Sequence, residues 1–313
     1  MRLDAPVDLD AALATADEHA ARLADLDPLL PPPAPLDPAA GELLQCPGGV
    51  GVAGFVESPV GTAARTWDAA RRHTLTVRLA GEDPAGSLGA LLDQWLPLVR
   101  SRAARGDLDA AAVVEVPSRD TRPVLALVHR GFTPVSAVAV RTPHRPGPAG
   151  SSEVTIRQAT PDDLDRLVAL NLEVVDYDAP FGKVTPRDDT AEALRNQLTY
   201  LLSEADPAVW VAERDGVALG HVHLQLPPLS AWAARFTSLP NVAYLASLGV
   251  TAACRGGGIG NALARFAHDV LDASGLPATL LHHALPNPRS TPFWYSHGYR
   301  PLWTTWVRRP AHP

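Results

Sequence analysis

The stretch Tyr244-Leu245-Ala246-Ser247-Leu248-Gly249-Val250-Thr251-Ala252-Ala253-Cys254-Arg255-Gly256-Gly257-Gly258-Ile259-Gly260-Asn261 decides how this chain is read. An apolar run ends at Val250, and Arg255 follows at the head of a glycine cluster. From Asn261 to Leu271 the pattern turns amphipathic. That order predicts a strand, a glycine-rich turn and the start of a helix. Such a turn leaves backbone N–H groups free at the positive end of a helix dipole, where a diphosphate fits. Arg255 adds a permanent cation at its edge.

Upstream, Val154 to Arg157 reads as a strand. Thr160-Pro161-Asp162-Asp163 then opens a helix, with Thr as N-cap, Pro at the first helical position and acids in the first turn. A polar stretch from Asp176 to Asp189 and a second helix from Thr190 to about Glu204 come next. Ala208–Ala212 and Ala218–Leu224 read as strands joined by an Asp215-Gly216 turn. Beyond the glycine turn the pattern gives a helix to about Ser274, a strand at 278–284, a short helix at 289–297 and a last strand at 302–308. The predicted order is β-α-α-β-β-β-α-β-α-β.

Thr142 to Ser152 has three prolines, two glycines, two serines and no periodicity, the composition of a linker. The half before it carries the same landmarks in weaker form. Gly131-Phe132-Thr133-Pro134 matches Gly298-Tyr299-Arg300-Pro301, and the Pro117/Pro123 spacing equals that of Pro286/Pro292. Gly86-Ser87-Leu88-Gly89 falls where Gly257-Gly258-Ile259-Gly260 would. We read an internal duplication: residues 1–141, a linker at 142–152, and residues 153–313. In the first copy Pro84 stands at the arginine position. It brings no cation and removes a backbone donor, so that copy is expected to be degenerate.

With 313 residues and 46% apolar content the chain has enough material for two packed cores. A net charge of −7 argues against a nucleic-acid partner. No run approaches membrane-spanning length, and Met1-Arg2-Leu3-Asp4-Ala5-Pro6 has no apolar signal core. Cys46 and Cys254 have no metal-ligand spacing, so no metal is expected, and a reducing cytoplasm is the simplest setting.

Val250-Thr-Ala-Ala-Cys-Arg255-Gly-Gly-Gly258-Ile-Gly260, together with Asn287 and the later Phe293-Trp294-Tyr295-Ser296-His297-Gly298-Tyr299, resembles the GCN5-related N-acetyltransferases. The resemblance covers 153–309 well and the first half only indirectly. It implies two tandem acyl-CoA N-acyltransferase-like domains of α/β (α+β) class. Each would be a mixed, mostly antiparallel sheet flanked by helices. It also implies acetyl-CoA or another acyl-CoA as cofactor and a small-molecule amine as acceptor. The chain would be a monomer, as an internal pseudo-dimer, or a homodimer. By resemblance the cofactor contacts are Leu248, Val250, Arg255, Gly256, Gly257, Gly258, Ile259, Gly260, Asn261 and Asn287. A bulge near Leu248 to Val250 would aim the Val250 N–H at the thioester oxygen.

Proton transfer is the open part of the reading. An amine of pKa near 10 needs a base or a water relay at neutral pH. Many family members place a glutamate on the strand before the turn, and none stands in Tyr244–Leu248. Many place a tyrosine four residues before the late glycine, where this chain has Trp294, with Tyr295 one residue on. The candidate groups are therefore Tyr295 as acid and His221 or His223, which share a strand face, as base. Each serves equally well as a packed structural residue. Asp176, Tyr177, Asp178 and Tyr244 are the candidate acceptor contacts; the acids suit a cationic amine, or form an ordinary solvated loop. An acyl-CoA sensor without turnover, or an enzyme acting on protein or peptide amines, would fit the same motifs.

Overall fold

The computed structural model describes residues 8–35, 37–148 and 153–313. In chain order the first half gives α1 (Leu9–Leu26), β1 (Glu42–Cys46), β2 (Gly49–Glu57), β3 (Arg71–Leu79), α2 (Pro84–Arg102), β4 (Ala110–Pro117), α3 (Val124–Val128) and β5 (Thr133–Arg141). The second half gives β6 (Thr155–Gln158), α4 (Leu164–Asp178), α5 (Thr190–Leu202), β7 (Val209–Arg214), β8 (Val217–Gln225), β9 (Ala243–Val250), α6 (Ile259–Ala273), β10 (Thr279–Ala284), α7 (Ser290–Ser296) and β11 (Arg300–Arg308). The second half has the predicted order, short 3-10 turns aside. The fold is mixed α/β, with mostly antiparallel strands flanked by helices.

Two compact units form. One comprises Met1–Ser58, Ala69–Val135 and Leu302–Pro313; the other comprises Pro59–Asp68 and Ser136–Pro301. In the first unit the strands run β1-β2-β3-β4-β11. Every pairing is antiparallel except β3–β4, which is parallel from Arg71/Ala110 to Thr74/Val113. Leu88, Leu91, Trp95 and Leu92 of α2 are buried in its core with Leu75, Leu79 and Phe132. In the second unit the order is β5-β10-β9-β8-β7-β6. Again one pairing, β9–β10, is parallel, and it stops after Thr279/Ala243 and Leu280/Tyr244. Beyond that point the two strands part.

Local sequence explains these elements. Ile259, Leu263, Ala267 and Leu271 recur every four residues on α6, and all are buried. Each leucine side chain taken out of water contributes about 1.5–3 kcal/mol. The β7–β8 hairpin turns on Asp215 (φ 52°) and Gly216 (φ 78°), the positive pair that a two-residue turn requires. At the start of α4, Thr160 N donates to Asp163 Oδ2 at 2.8 Å, and Arg157 grips the same carboxylate at 2.7 and 2.9 Å.

The compact units do not follow a cut at 142–152. β5, from the first half, pairs with β10, and β11, from the second half, pairs with β4. These strands are the ones that follow the two matching glycines, Gly131 (φ 77°) and Gly298 (φ 85°). The first residues of this stretch make specific contacts. Arg141 and the His144 N–H both donate to the Asp272 carboxylate, and Gly147 lies against the His297 ring. The remainder of the linker, 149–152, falls outside the described residues, as does 1–7.

Candidate functional site

β9 ends at Val250, and a 3-10 turn over Ala252–Cys254 leads to Arg255 and the glycines. Gly256 (φ 85°) and Gly258 (φ 82°) adopt the left-handed conformation that other residues resist. Gly258 is the N-cap of α6 and has no side chain to cap it. The first intrahelical bond is Ala262 N–H to Gly258 O at 3.0 Å. The N–H groups of Ile259, Gly260 and Asn261 therefore precede the ladder, at the positive end of the helix dipole. Arg255 Nε donates to Val250 O at 3.0 Å, which ties the guanidinium back to the strand. Glu173 of α4 accepts from Thr251 Oγ1 at 2.8 Å and Ala252 N at 2.7 Å, fixing the junction of strand and turn. Its role was not read from the sequence, because nothing local links position 173 to 251.

A cavity of about 320 Å³ opens in front of this turn. Its wall includes Leu248, Gly249, Val250, Arg255, Gly256, Gly258, Gly260 and Asn261 on one side and Asn287, Arg289, Phe293 and Trp294 on another. Thr251 N–H donates to Leu219 O on the β8 side at 2.8 Å. Backbone donors alternate along a strand, so the Leu248 and Val250 N–H groups point to the opposite edge, the one β10 has left. The register shift of β9 lies at Ala246, between the pairs His223/Ser247 and Leu224/Leu245. It comes earlier than the expected bulge at Leu248 to Val250, which instead pair regularly with β8.

The expected acceptor loop is not a loop at its start. α4 continues through Asp178, leaving Asp176 exposed and placing Tyr177 and Asp178 on the wall of this same cavity. Asp178 Oδ1 accepts from Asn287 Nδ2 at 2.7 Å. Asn287 Oδ1 in turn accepts from Arg289 N at 2.9 Å and Ser290 N at 3.0 Å. The Asn287 side chain thus ties α4 to the start of α7. Burial raises the Asp178 pKa above the usual carboxylate range, against the opposing pull of Asn287 and Arg255.

The proton-transfer candidates separate. His221 and His223 share the expected face of β8, but both are buried and neither lines the cavity. His221 Nε2 lies 2.9 Å from Ser247 Oγ, and Ser247 Oγ donates to Asn171 Oδ1 at 3.3 Å. That direction puts the His221 proton on Nε2. Burial lowers His221 to about 3, with His223 adding to the effect, and lowers His223 to about 4. Both rings are neutral near pH 7 and hold a proton poorly. Tyr295 points away from the cavity, 36% exposed and edge-on to His283 at 5.4 Å, whereas Trp294 lines it. One residue along a helix rotates the side chain by about 100°. Tyr244 does not line the cavity; its hydroxyl is 2.9 Å from His282 Nδ1, beneath Trp232 at 4.6 Å.

The cavity joins uncapped helix N–H groups, a strand edge freed by a parting neighbour, and a cation at the turn. Residues 171–299 match the family described as Acetyltransferase (GNAT) family. This segment is a GNAT acetyltransferase domain. The match supports acyl-CoA-dependent N-acetyltransferase activity in general. Solved structures agree in fold. A GCN5-related N-acetyltransferase from Sphaerobacter thermophilus is 18% identical with a TM-score of 0.60, over 99% of this chain and 95% of that one. An acetyltransferase of the GNAT family from Colwellia psychrerythraea is 12% identical with a TM-score of 0.51, over 96% of each chain. Among curated proteins none matches this chain. Among the described residues no helix is long and apolar enough to cross a membrane, and no three His, Cys, Asp or Glu side chains are placed to hold a metal ion.

In the first unit α2 leads from β3 to β4, a parallel pair, as α6 leads from β9 to β10. Its N-terminus is already filled: Asp83 caps it, and Asp83 Oδ1 accepts from Gly86 N at 2.8 Å. Pro84 is the first helical residue.

Proposed function

We propose that the chain transfers an acyl group from acetyl-CoA, or another acyl-CoA, to the amine of a small molecule, and that residues 153–313 do this work. The observation that carries the reading is the continuous cavity wall from the bare N-terminus of α6 to the unpaired edge of β9. An acyl-CoA brings a thioester-activated acyl group, so the protein supplies grip, orientation and stabilisation of charge. The N–H groups of Ile259, Gly260 and Asn261, with Arg255, suit a diphosphate. The Leu248 and Val250 N–H groups suit an extended amide-bearing arm and the oxygen that becomes negative during transfer.

No histidine near the strand stores a proton at neutral pH, so we assign deprotonation of the acceptor to water. The His221–Ser247–Asn171 chain orders the strand beside it. The same observation favours the second reading, a domain that binds acyl-CoA without turnover. We also propose that residues 1–141 are a degenerate copy. The Asp83 carboxylate sits where a phosphate would and repels it.

Calorimetry with coenzyme A separates these statements. One site per chain is expected, lost when Arg255→Ala and Gly258→Val are combined. Two equivalent sites would refute the degenerate copy, and full affinity in the double variant would refute the turn assignment. Thiol release measured over a panel of small amines and peptides then decides between enzyme and sensor. Turnover with no amine sinks the enzymatic reading.

A further inference from the structure

Arg255 and Arg289 both line the cavity, and they share one aromatic ring. Arg255 Cζ lies 4.7 Å from the centre of the Tyr177 ring and Arg289 Cζ lies 5.7 Å from it. Among the described residues neither guanidinium has a carboxylate in ion-pair range, whereas Arg141, Arg157 and Arg130 each have one. Asp178, on the same cavity wall, is engaged with Asn287 instead. Two guanidinium groups set over one aromatic ring on the wall of one cavity, neither ion-paired with a carboxylate, leave positive charge there that the electron-rich ring offsets only in part and that a bound anion can neutralise.

We propose that Tyr177, Arg255 and Arg289 form a paired guanidinium clamp for the cofactor's phosphates. Arg289 is then a phosphate ligand that the glycine turn does not include. The clamp rests on reading the cavity as the acyl-CoA site and adds to that reading. Each part has a fixed position. Phe181 packs edge-on against Tyr177 at 5.9 Å. The Arg255 Nε bond to Val250 O anchors one arm, and the bond from Arg289 N to Asn287 Oδ1 anchors the other. The ring face does the holding, so the tyrosine hydroxyl is dispensable and the ring is not. Guanidinium groups bind phosphate oxygens in pairs, which a lysine cannot copy. Coenzyme A offers two such groups, the diphosphate and the 3′-phosphate.

The test is calorimetric titration of the full chain with coenzyme A, dephospho-coenzyme A and pantetheine. Arg289 is exposed, so Arg289→Ala leaves the fold intact. It is expected to weaken coenzyme A binding about tenfold or more, the worth of one charge-assisted hydrogen bond. Pantetheine binding should not change. If the loss vanishes with dephospho-coenzyme A, Arg289 meets the 3′-phosphate; if it persists, Arg289 meets the diphosphate. Arg289→Lys should recover little of the affinity. Tyr177→Phe should bind as the native chain does, and Tyr177→Leu should lose at least as much as Arg289→Ala. Affinity within twofold of native in Arg289→Ala, or in Tyr177→Leu, overturns the clamp. Native chain that binds no coenzyme A, or an Arg255→Ala chain that binds it normally, overturns the cavity assignment as well.

Discussion

At Gly249 two side chains close in on the backbone. A methyl group there would lie 2.6 Å from Val174 Cγ2 and 2.8 Å from His221 Cε1. The residue is needed for space, since its backbone is ordinary strand. Gly256 is the reverse case: a methyl group meets nothing within 4 Å, and only its φ of 85° demands glycine. Gly249→Ala is therefore expected to lower stability by about 1–3 kcal/mol through overpacking, read as a fall in the thermal midpoint. It should also weaken cofactor binding, because Val174 and Gly249 both form the cavity wall. An unchanged midpoint would mean that Val174 and the His221 ring move aside freely. The contrast between the two glycines was invisible in the sequence, where both are just glycines near a turn.

At the scale of elements, β8 shows how burial decides what a residue can do. The alternation of His221 and His223 was legible, and so was the shared face. Their chemistry was not, because a pKa depends on what covers the strand. Both rings have folded-state pKa values below the ordinary 6.5. The unfolded chain therefore takes up protons first as pH falls. Their contribution to stability is complete above about pH 6.5 and is lost progressively toward pH 4 and then 3. Each histidine costs up to about 1.4 kcal/mol per pH unit inside that window. His19 in the first unit, lowered to about 4, acts in the same direction. Thermal unfolding between pH 7.5 and 4.5 should show a falling midpoint, with a shallower slope in His223→Gln. A flat profile would show that the rings are not held neutral. The glycine turn is the opposite case, since its conformation and its bare helix end follow from residues adjacent in sequence.

At the scale of the whole molecule, each half of the chain completes its sheet with a strand from the other half. Residues 153–313 alone lack β5, which pairs with β10 over six residues from Arg141/Thr279 to Ser136/Ala284. They also lack Arg141, whose guanidinium meets Asp272 at 2.7 Å. Residues 1–141 alone lack β11 and leave the β4 edge bare. Exposed apolar strand edges drive aggregation. Either fragment expressed alone is expected to be poorly soluble, or to melt well below the full chain. If 153–313 unfolds at the full chain's temperature and binds coenzyme A equally well, the exchanged strand is unimportant.

The sequence by itself determined the glycine turn, the order of elements after it, and the repeated landmarks around Gly131 and Gly298. Those features depend on neighbours a few residues apart, through helix capping, φ preference and periodicity. Only the tertiary structure decided which sheet β5 and β11 join, that Tyr177 and Asp178 face the cavity at the glycine turn, and that Trp294 rather than Tyr295 lines it. It also decided that Glu173 and Asn287 brace the walls. Strand pairing, burial and cross-element hydrogen bonds join residues far apart along the chain, and no local pattern encodes their partners.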